Sequence, residues 1–188
     1  MKLGARLMMA LVLAGVAASA PAQFGTPTGD TLLEAIRYGE QQKIEDIVKG
    51  QPQLVNSRSI TGQTPLMMAV DKRSLPILGF LLFYKADPNA ADGSGQLPLI
   101  VAARKGWGEG VDGLLQMGAN VDGRNRQGET ALIAAVQARN PRVIRQLLAK
   151  NANPDIADRM SGFSARDYAK RDNRNPELLR LIDSAKTK

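Results

Sequence analysis

Three short segments of this chain stand 33 residues apart: Gly62-Gln-Thr-Pro-Leu66, Gly95-Gln-Leu-Pro-Leu99 and Gly128-Glu-Thr-Ala-Leu132. An alanine follows three residues after each final leucine, at Ala69, Ala102 and Ala135. A fixed period of this length indicates one supersecondary unit that is copied several times along the chain. Each copy has too little core of its own, so neighbouring copies must stack to bury their apolar faces. The sequence therefore predicts a repeat protein.

The repeat extends well beyond these three segments. Paired leucines recur at the same spacing, as do short polar segments that begin with alanine: Leu81-Leu82, Leu114-Leu115, Leu147-Leu148, Ala86-Asp-Pro-Asn89, Ala119-Asn-Val-Asp122 and Ala152-Asn-Pro-Asp155. A degenerate copy, shifted by one residue, begins at Gly162, and a weak copy starts near Leu32. We therefore expect five units, which cover approximately residues 30–58, 59–91, 92–124, 125–158 and 159–188.

One unit can be interpreted from its own residues. Thr64 is a suitable N-cap, because its hydroxyl can accept a bond from a free N–H, and proline is tolerated at the first helical position. Leu66, Ala69 and Val70 then share one helical face. A second helix presents its inner face through Ile77, Leu78, Leu81 and Leu82. We expect Asp87-Pro88-Asn89 to end that helix, since proline cannot continue it.

These segments resemble the ankyrin repeat, whose core reads roughly Gly-x-Thr-Pro-Leu-His-x-Ala-Ala, then a Leu-Leu pair, then Gly-Ala-Asp-x-Asn. The resemblance implies an all-α solenoid of about five stacked helix-turn-helix units with protruding turns. The histidine of the family is replaced by Met67, Ile100 and Ile133, and the chain contains no histidine. We expect backbone bonds and the hydroxyls of Thr64 and Thr130 to hold the turns instead, whereas Leu97 has no hydroxyl to offer.

The N-terminal 22 residues have the pattern of a secretory signal peptide. Lys2 and Arg6 precede an apolar run over residues 7–16, and small residues follow. Cleavage after Ala20 would place Pro21 beyond the scissile bond, so we expect a cut after Ala22. Residues 23–29 are then a flexible lead-in and residues 30–188 the repeat domain. The alternative is an uncleaved anchor, but ten apolar residues are short for a span of about 20. We expect an exported protein, periplasmic or extracellular, with no stable membrane insertion.

Charge is unevenly distributed along the chain, whose net charge is +7. Residues 124–188 contain 14 Lys/Arg and 7 Asp/Glu, whereas residues 23–123 contain 9 and 11. The basic half could attract an acidic partner or an anionic membrane surface. The alternative is that Arg142, Arg145 and Arg180 are solvated residues of the second helices. Nucleic acid is not expected as a partner, because no aromatic residues interleave with the basic ones.

The side chains that usually perform catalysis are scarce. Without histidine or cysteine, the chain can form neither a nitrogen–sulfur metal site nor an imidazole-assisted nucleophile. We expect no enzyme activity, no cofactor and no metal. The segment Gly108-Glu-Gly-Val-Asp-Gly113 matches the dinucleotide fingerprint G-x-G-x-x-G, but it lies between and within helices of a repeat and lacks the required strand. Its Gly110 and Gly113 instead predict a weak helix over residues 106–117.

The resemblance also implies where a partner binds, since ankyrin domains use turn tips and the exposed side of the first helices, which form a concave surface. The matching candidate residues are Ile60, Gln63, Lys72, Ser94, Gln96, Arg104, Lys105, Trp107, Arg126, Gln127, Glu129 and Gln137. Trp107 is either a contact anchor or a cover over the glycine helix. Met67, Met68 and Met117 are expected in the core.

We expect a monomer that binds a protein of unknown identity. Two narrower roles stay open: an accessory factor for a periplasmic oxidative-stress enzyme, or a secreted effector or immunity-type inhibitor.

Overall fold

The computed structural model describes residues 27–184, so the predicted signal peptide lies outside the described part of the chain. Residues 27–184 form ten α-helices in five successive pairs, and a 3-10 helix, Pro52–Asn56, follows the first pair. The helices are α1 (Gly29–Tyr38), α2 (Gln41–Gly50), α3 (Pro65–Asp71), α4 (Leu75–Phe83), α5 (Pro98–Arg104), α6 (Gly108–Gln116), α7 (Ala131–Gln137), α8 (Pro141–Ala149), α9 (Ala165–Arg171) and α10 (Pro176–Ser184).

The pairs stack into two columns of helices. The first helices form the inner column, in which α1 packs on α3, α3 on α5, α5 on α7 and α7 on α9. In the outer column α4 packs on α6, α6 on α8 and α8 on α10. Each unit thus contacts its sequence neighbours, as expected for a solenoid. The predicted all-α stack is confirmed.

The inner helices begin where the repeat pattern predicts. The Thr64 hydroxyl accepts a hydrogen bond from the Met67 N–H at 3.1 Å, and the Thr130 hydroxyl accepts one from Ile133 at 3.3 Å. Leu97, at the same position in the third unit, makes no side-chain cap. The start of α5 therefore depends on Pro98, whose fixed φ suits a first helical residue.

The core consists of residues that recur in each unit. Leu81, Leu114 and Leu147 are fully buried on the outer helices. The repeated spacing also buries an alanine on each inner helix, at Ala69 and Ala102 among others. Because alanine is small, the inner helices approach closely, and the leucines fill the space between the columns. Each buried leucine contributes about 1.5–3 kcal/mol relative to its exposed state.

The end of the second helix differs from the sequence-based expectation. Helix α4 ends at Phe83, four residues before Asp87, so the attribution to Pro88 was wrong. Lys85 has φ 67°, and the N–H of the next residue, Ala86, bonds back to the Leu81 carbonyl at 2.9 Å. A left-handed residue is a common helix terminator. Gly118 and Asn151 take positive φ at the same position of the next two units, at 88° and 61°.

Met117 was also wrongly expected in the core. It follows the last residue of α6 and is 43% exposed. Met67 and Met68, in contrast, are buried as predicted. Met117 lies on the outer surface of the solenoid beside α4, where its side chain forms part of an apolar depression.

Candidate protein-binding surface

A ladder of side-chain acceptors locks neighbouring units together. The Asn56 Oδ1 accepts the N–H of Asp87 at 2.8 Å, and the Asn89 Oδ1 accepts the N–H of Asn120 at 2.7 Å. Asp122 continues the series with the N–H of Asn153 at 2.8 Å. Each bond crosses from one unit to the next at the same place. The loops that follow the outer helices are therefore held in a fixed register.

A second repeated acceptor stiffens the protruding turns. Backbone N–H groups donate to the side-chain oxygens of Ser59, Asp92 and Asn125 at 2.9–3.0 Å, each across four residues. These positions are 33 residues apart, so the sequence contains this signal. The sequence-based prediction that the threonines and the backbone hold the turns missed it. Each of these hydrogen bonds joins the first residue of a turn to the residue four positions later. The residues at the tip of the turn are therefore held in one conformation.

Asp158 is the acceptor of the fifth unit and is buried. Its Oδ1 accepts the N–H groups of Met160, Ser161 and Gly162, while its Oδ2 accepts the Tyr168 hydroxyl at 2.7 Å. Burial acts to raise the pKa of Asp158, but these hydrogen bonds favour the ionised form more strongly, so the pKa lies below its usual value. The turn is therefore held by a buried carboxylate.

Much of the basic charge has a structural role between units. The Arg58 Nη1 donates to the Ala91 carbonyl at 2.5 Å, and the Arg124 Nη2 donates to the Ala157 carbonyl at 2.7 Å. The Lys105 Nζ lies 3.1 Å from an Asp71 carboxylate oxygen. These cations each reach across a unit boundary. They are consequently part of the stacking.

Four of the candidate residues meet in one network between the third and fourth units. The Arg104 Nη2 lies 2.5 Å from the Glu129 Oε2, and both Arg104 Nη atoms donate to the Gln96 Oε1 at 3.3–3.4 Å. The Gln96 Nε2 donates to the Gln127 Oε1 at 3.5 Å. Asn125 joins the network through its amide, 2.8 Å from the Glu129 Oε2. This polar floor links the third and fourth units.

The other candidate residues differ in accessibility. Ile60, Ser94 and Arg126 are exposed on the turn tips, and Ile60 is fully exposed. Gln63 is half-buried on the first tip. Lys72 and Gln137 are exposed at the C-terminal ends of α3 and α7. Apart from the half-buried Gln63, these candidate residues are therefore accessible to solvent.

Trp107 belongs to the interior. It is 7% exposed and directly precedes α6, and a Cβ at Gly110 would lie 2.1 Å from its ring. This packing matches the alternative in which the ring covers the glycine helix. A partner could reach only a small part of the indole, so we leave Trp107 out of the candidate surface.

The glycine motif is explained by packing. Residues 108–113 lie within α6, which follows α5 and a turn at Gly106 rather than a strand. A Cβ on Gly108 would lie 3.0 Å from side-chain atoms of Arg142 and Gln146. The dinucleotide fingerprint requires a strand before the motif and space for a pyrophosphate, and neither is present here. The interpretation as a chance match holds.

An open depression of about 460 Å³ lies between α1 and the first turn tip. Its lining combines carboxylates with an aliphatic tip: Asp30, Thr31, Leu33, Glu34, Arg37, Ser59, Ile60, Thr61 and Gln63. Within residues 27–184, no three acidic residues gather in a way that could hold a metal ion, and no helix has the length and apolar character to cross a membrane. The depression is suited to contact with side chains of another protein.

Residues 66–158 match the family model for ankyrin repeats, in three copies. The chain is therefore an ankyrin-repeat protein, a class that serves protein–protein interaction and is generally non-catalytic.

The relatives match this chain over only a small part of their own length. Palmitoyltransferase ZDHHC13 of Homo sapiens is 40% identical over 95 residues, which are 50% of this chain and 15% of that protein. Mitochondrial disaggregase of Bos taurus is 33% identical over 154 residues, 81% of this chain and 21% of that protein. Ankyrin repeat domain-containing protein 63 of Homo sapiens is 35% identical over 82 residues, which are 42% of this chain and 22% of that protein. The activities in these names belong to those proteins.

Proposed function

We propose that this chain is an exported binding protein without catalytic activity, which recognises a protein partner through its concave groove and turn tips. The observation that carries the proposal is the fully exposed Ile60 on the first tip. A large aliphatic residue on a rigid turn has no core contact to make. It also borders the depression against α1, so a partner side chain could bury both together.

The energetic argument follows from the area that such contact would bury. Full burial of an isoleucine side chain is worth about 1.5–3 kcal/mol. The hydrogen bond from the Gln63 N–H to the Ser59 hydroxyl, at 3.0 Å, already fixes the tip around it. Since the turn loses little conformational entropy on binding, most of this gain would appear as affinity.

The test compares two exposed apolar residues on opposite sides of the solenoid. We expect Ile60→Ser to weaken binding of the partner captured from the periplasm by about 10- to 100-fold, from the loss of buried area. Phe83→Ser, on the outer surface, is the matched control and should leave binding unchanged. Titration of the purified partner by calorimetry measures both. Equal affinity of the Ile60 variant and the natural chain would refute the assignment of the tip.

Export is supported by the pattern of residues 1–22. We propose that the segment directs the chain to the periplasm and is removed after Ala22. Fractionation of the producing cells, followed by N-terminal sequencing of the chain, should find a product that begins at Gln23. A product that retains Met1 and remains in the cytoplasm would contradict the proposal of export. It would not affect the proposal about the binding surface.

A further inference from the structure

A recess of about 460 Å³ opens between the last turns of α7 and α9 and the short segment that joins α9 to α10. Its charged lining consists of Arg139, Arg171, Asp172 and Arg174, so three cations stand against one carboxylate. We call it the arginine recess. In the depression beside α1, by contrast, two carboxylates stand against one arginine. The basic half of the chain thus contains a defined recess that attracts negative charge.

The carboxylate of the arginine recess is already bound. The Asp172 side chain is 14% exposed, and its Oδ2 accepts the Arg139 Nε–H at 2.6 Å. Its Oδ1 accepts a second N–H of Arg139, from Nη2, at 3.2 Å, and the backbone N–H of Arg174 at 3.2 Å. Asp172 thus neutralises Arg139 and holds the segment that follows α9. The unbalanced charge of the recess therefore comes from Arg171 and Arg174.

These two arginines are accessible and not neutralised. Both are exposed, and neither forms an ion pair with another residue of the described range 27–184. The guanidinium carbon of Arg171 lies 3.8 Å from the centroid of the Phe163 ring. An aromatic ring positions a cation without cancelling its charge. One of the two cations is therefore in place before a ligand arrives, which reduces the entropy cost of binding.

The uncharged part of the lining matches a polypeptide. Val136 and the ring of Tyr168 supply apolar surface, and Gln137 and Asn173 supply side-chain amides. An amide both donates and accepts hydrogen bonds, so it matches the N–H and C=O groups of a peptide backbone. The arginines match carboxylates, because a planar guanidinium donates two parallel hydrogen bonds to one carboxylate. The lining is therefore complementary to a chain segment with acidic side chains.

Other large anions fit this lining less well. Single-stranded nucleic acid requires aromatic faces for stacking, whereas Tyr168, the aromatic residue of the recess, packs against Phe163 at 5.7 Å between ring centroids. Its hydroxyl also donates to the Asp158 Oδ2 at 2.7 Å. Binding to an anionic membrane uses clusters of about four to eight Lys/Arg, whereas the recess has only Arg171 and Arg174 without a carboxylate partner. An acidic protein segment is the occupant that these features favour.

We propose that an acidic segment of the protein partner binds in the arginine recess, with an aspartate or glutamate carboxylate bonded to Arg171 and Arg174. The inference rests on the proposed function and adds the chemistry of the partner to it. Gln137, a candidate residue of the binding surface, lines the recess and connects the two. Asp30 and Glu34 in the depression beside α1 repel the same segment, so charge directs it to the fifth unit.

Fluorescence anisotropy with a labelled synthetic peptide of alternating glutamate and alanine, titrated with the full chain purified after export, tests the proposal. The natural chain should bind this peptide and should not bind the same peptide with glutamine in place of glutamate. Arg174→Gln should weaken binding at least about tenfold, because it removes a charge-assisted hydrogen bond. Arg145→Gln removes an equally exposed cation from α8, outside the recess, and is the matched control that should leave the affinity unchanged.

Arg171→Gln should weaken binding to a similar extent, but it also removes the contact with the Phe163 ring. Arg174 lies outside α9 and α10, so its variant tests the recess without disturbing a helix. Circular dichroism of both variants should show the helical content of the natural chain.

Three results would overturn the proposal: no binding of the glutamate peptide, equal binding of the glutamine peptide, or equal losses in Arg174→Gln and Arg145→Gln. It is also overturned if the chain binds phosphatidylserine vesicles or single-stranded RNA through Arg174 and ignores the peptide. Ile60→Ser should leave peptide binding unchanged, because Ile60 borders the depression beside α1. A peptide that fails to bind, while Ile60→Ser still weakens the captured partner, would refute the recess and leave the proposed function standing.

Discussion

Two glycines in the same helix, three residues apart, have opposite structural roles. Packing requires a glycine at position 110, since any side chain there would overlap the Trp107 ring. Gly113 has no such constraint, because the nearest atom to its missing Cβ, on Leu78, is at an ordinary contact distance of 3.5 Å. Helix propensity treats the two alike, so only the packing distinguishes them.

Alanine substitution should separate these roles. We expect Gly113→Ala to raise the free energy of unfolding by about 0.5–1 kcal/mol, because alanine loses less backbone entropy on folding than glycine. Gly110→Ala should lower it by about 1–3 kcal/mol, because the new methyl group forces Trp107 to move. Urea denaturation followed by circular dichroism measures both. Shifts of the same sign in the two variants would contradict the packing argument.

The buried carboxylate of Asp158 makes the fifth unit sensitive to acid. Its pKa is lower when folded than the unfolded value of about 3.9. Its stabilising contribution is therefore complete above that unfolded value and is lost as pH falls through the folded pKa.

We expect Asp158→Ala to reduce the free energy of unfolding near pH 7 by about 1–3 kcal/mol, through the loss of the hydrogen bonds to the turn. The difference from the natural chain should shrink as the pH falls below about 4, where protonation weakens those bonds in the natural chain as well. Glu34→Ala, an exposed substitution on α1, serves as the control. A difference that stays constant over this pH range would rule out the carboxylate as the source.

At the scale of elements, α6 combines several unfavourable features. It contains two glycines after its first residue, and its preceding residue, Trp107, provides no side-chain cap. Helix α8 has the same length and place in the repeat, but the Asn140 Oδ1 caps it by accepting the Val143 N–H at 3.1 Å, and Pro141 occupies its first turn. The two helices are thus a matched pair within one chain.

Hydrogen exchange should rank these helices. Two internal glycines cost about 2 kcal/mol together relative to alanine, which corresponds to roughly tenfold to thirtyfold less protection. We expect amides of α6 to exchange faster than those of α8 by that factor, when measured by mass spectrometry or NMR on the native chain. Equal protection over residues 143–149 and over α6 would show that the Trp107 cover fully offsets the glycines.

The repeat pattern predicted the elements well because stacking imposes the same demand in every unit. Leu66, Ala69 and Leu81 recur at a fixed period since each has one structural task, and the structure buries all three in the core. The prediction that Pro88 ends α4 was wrong because a left-handed residue can terminate a helix without a glycine or proline, as Lys85 does. A sequence pattern does not reveal which ordinary residue takes that conformation.

At the scale of the whole molecule, the candidate site was harder to predict than the fold. Arg104 and Glu129 were expected as separate contact residues, but they bond each other across a unit boundary. Trp107 was placed correctly between helices, yet its burial depended on the absence of a side chain at Gly110. Arg104 and Glu129 are 25 positions apart, whereas Trp107 and Gly110 are neighbours along one helix turn. In both cases the sequence states the position of each residue without its rotamer. Exposure of Ile60 followed more directly, from its place on a turn.

The linear arrangement of the units makes the ends separable from the middle. Within residues 27–184, the fifth unit contacts one other unit, with α9 on α7 and α10 on α8, whereas the third contacts two. Trp107 is the single tryptophan and reports on the third unit, while far-ultraviolet circular dichroism reports on all helices. A nearest-neighbour stack allows a weakened end to unfold before the rest. The two signals can therefore detect the order of unfolding.

We expect Ile182→Ala, at a fully buried site in α10, to remove about 2–5 kcal/mol from the fifth unit. Helical signal should then begin to fall at a urea concentration where Trp107 fluorescence is still native. Leu114→Ala removes an equally buried side chain from the third unit and should shift both signals together, because it weakens the contacts on either side. If the two signals coincide in the Ile182 variant, the units unfold as one cooperative body and the stack is not divisible at its end.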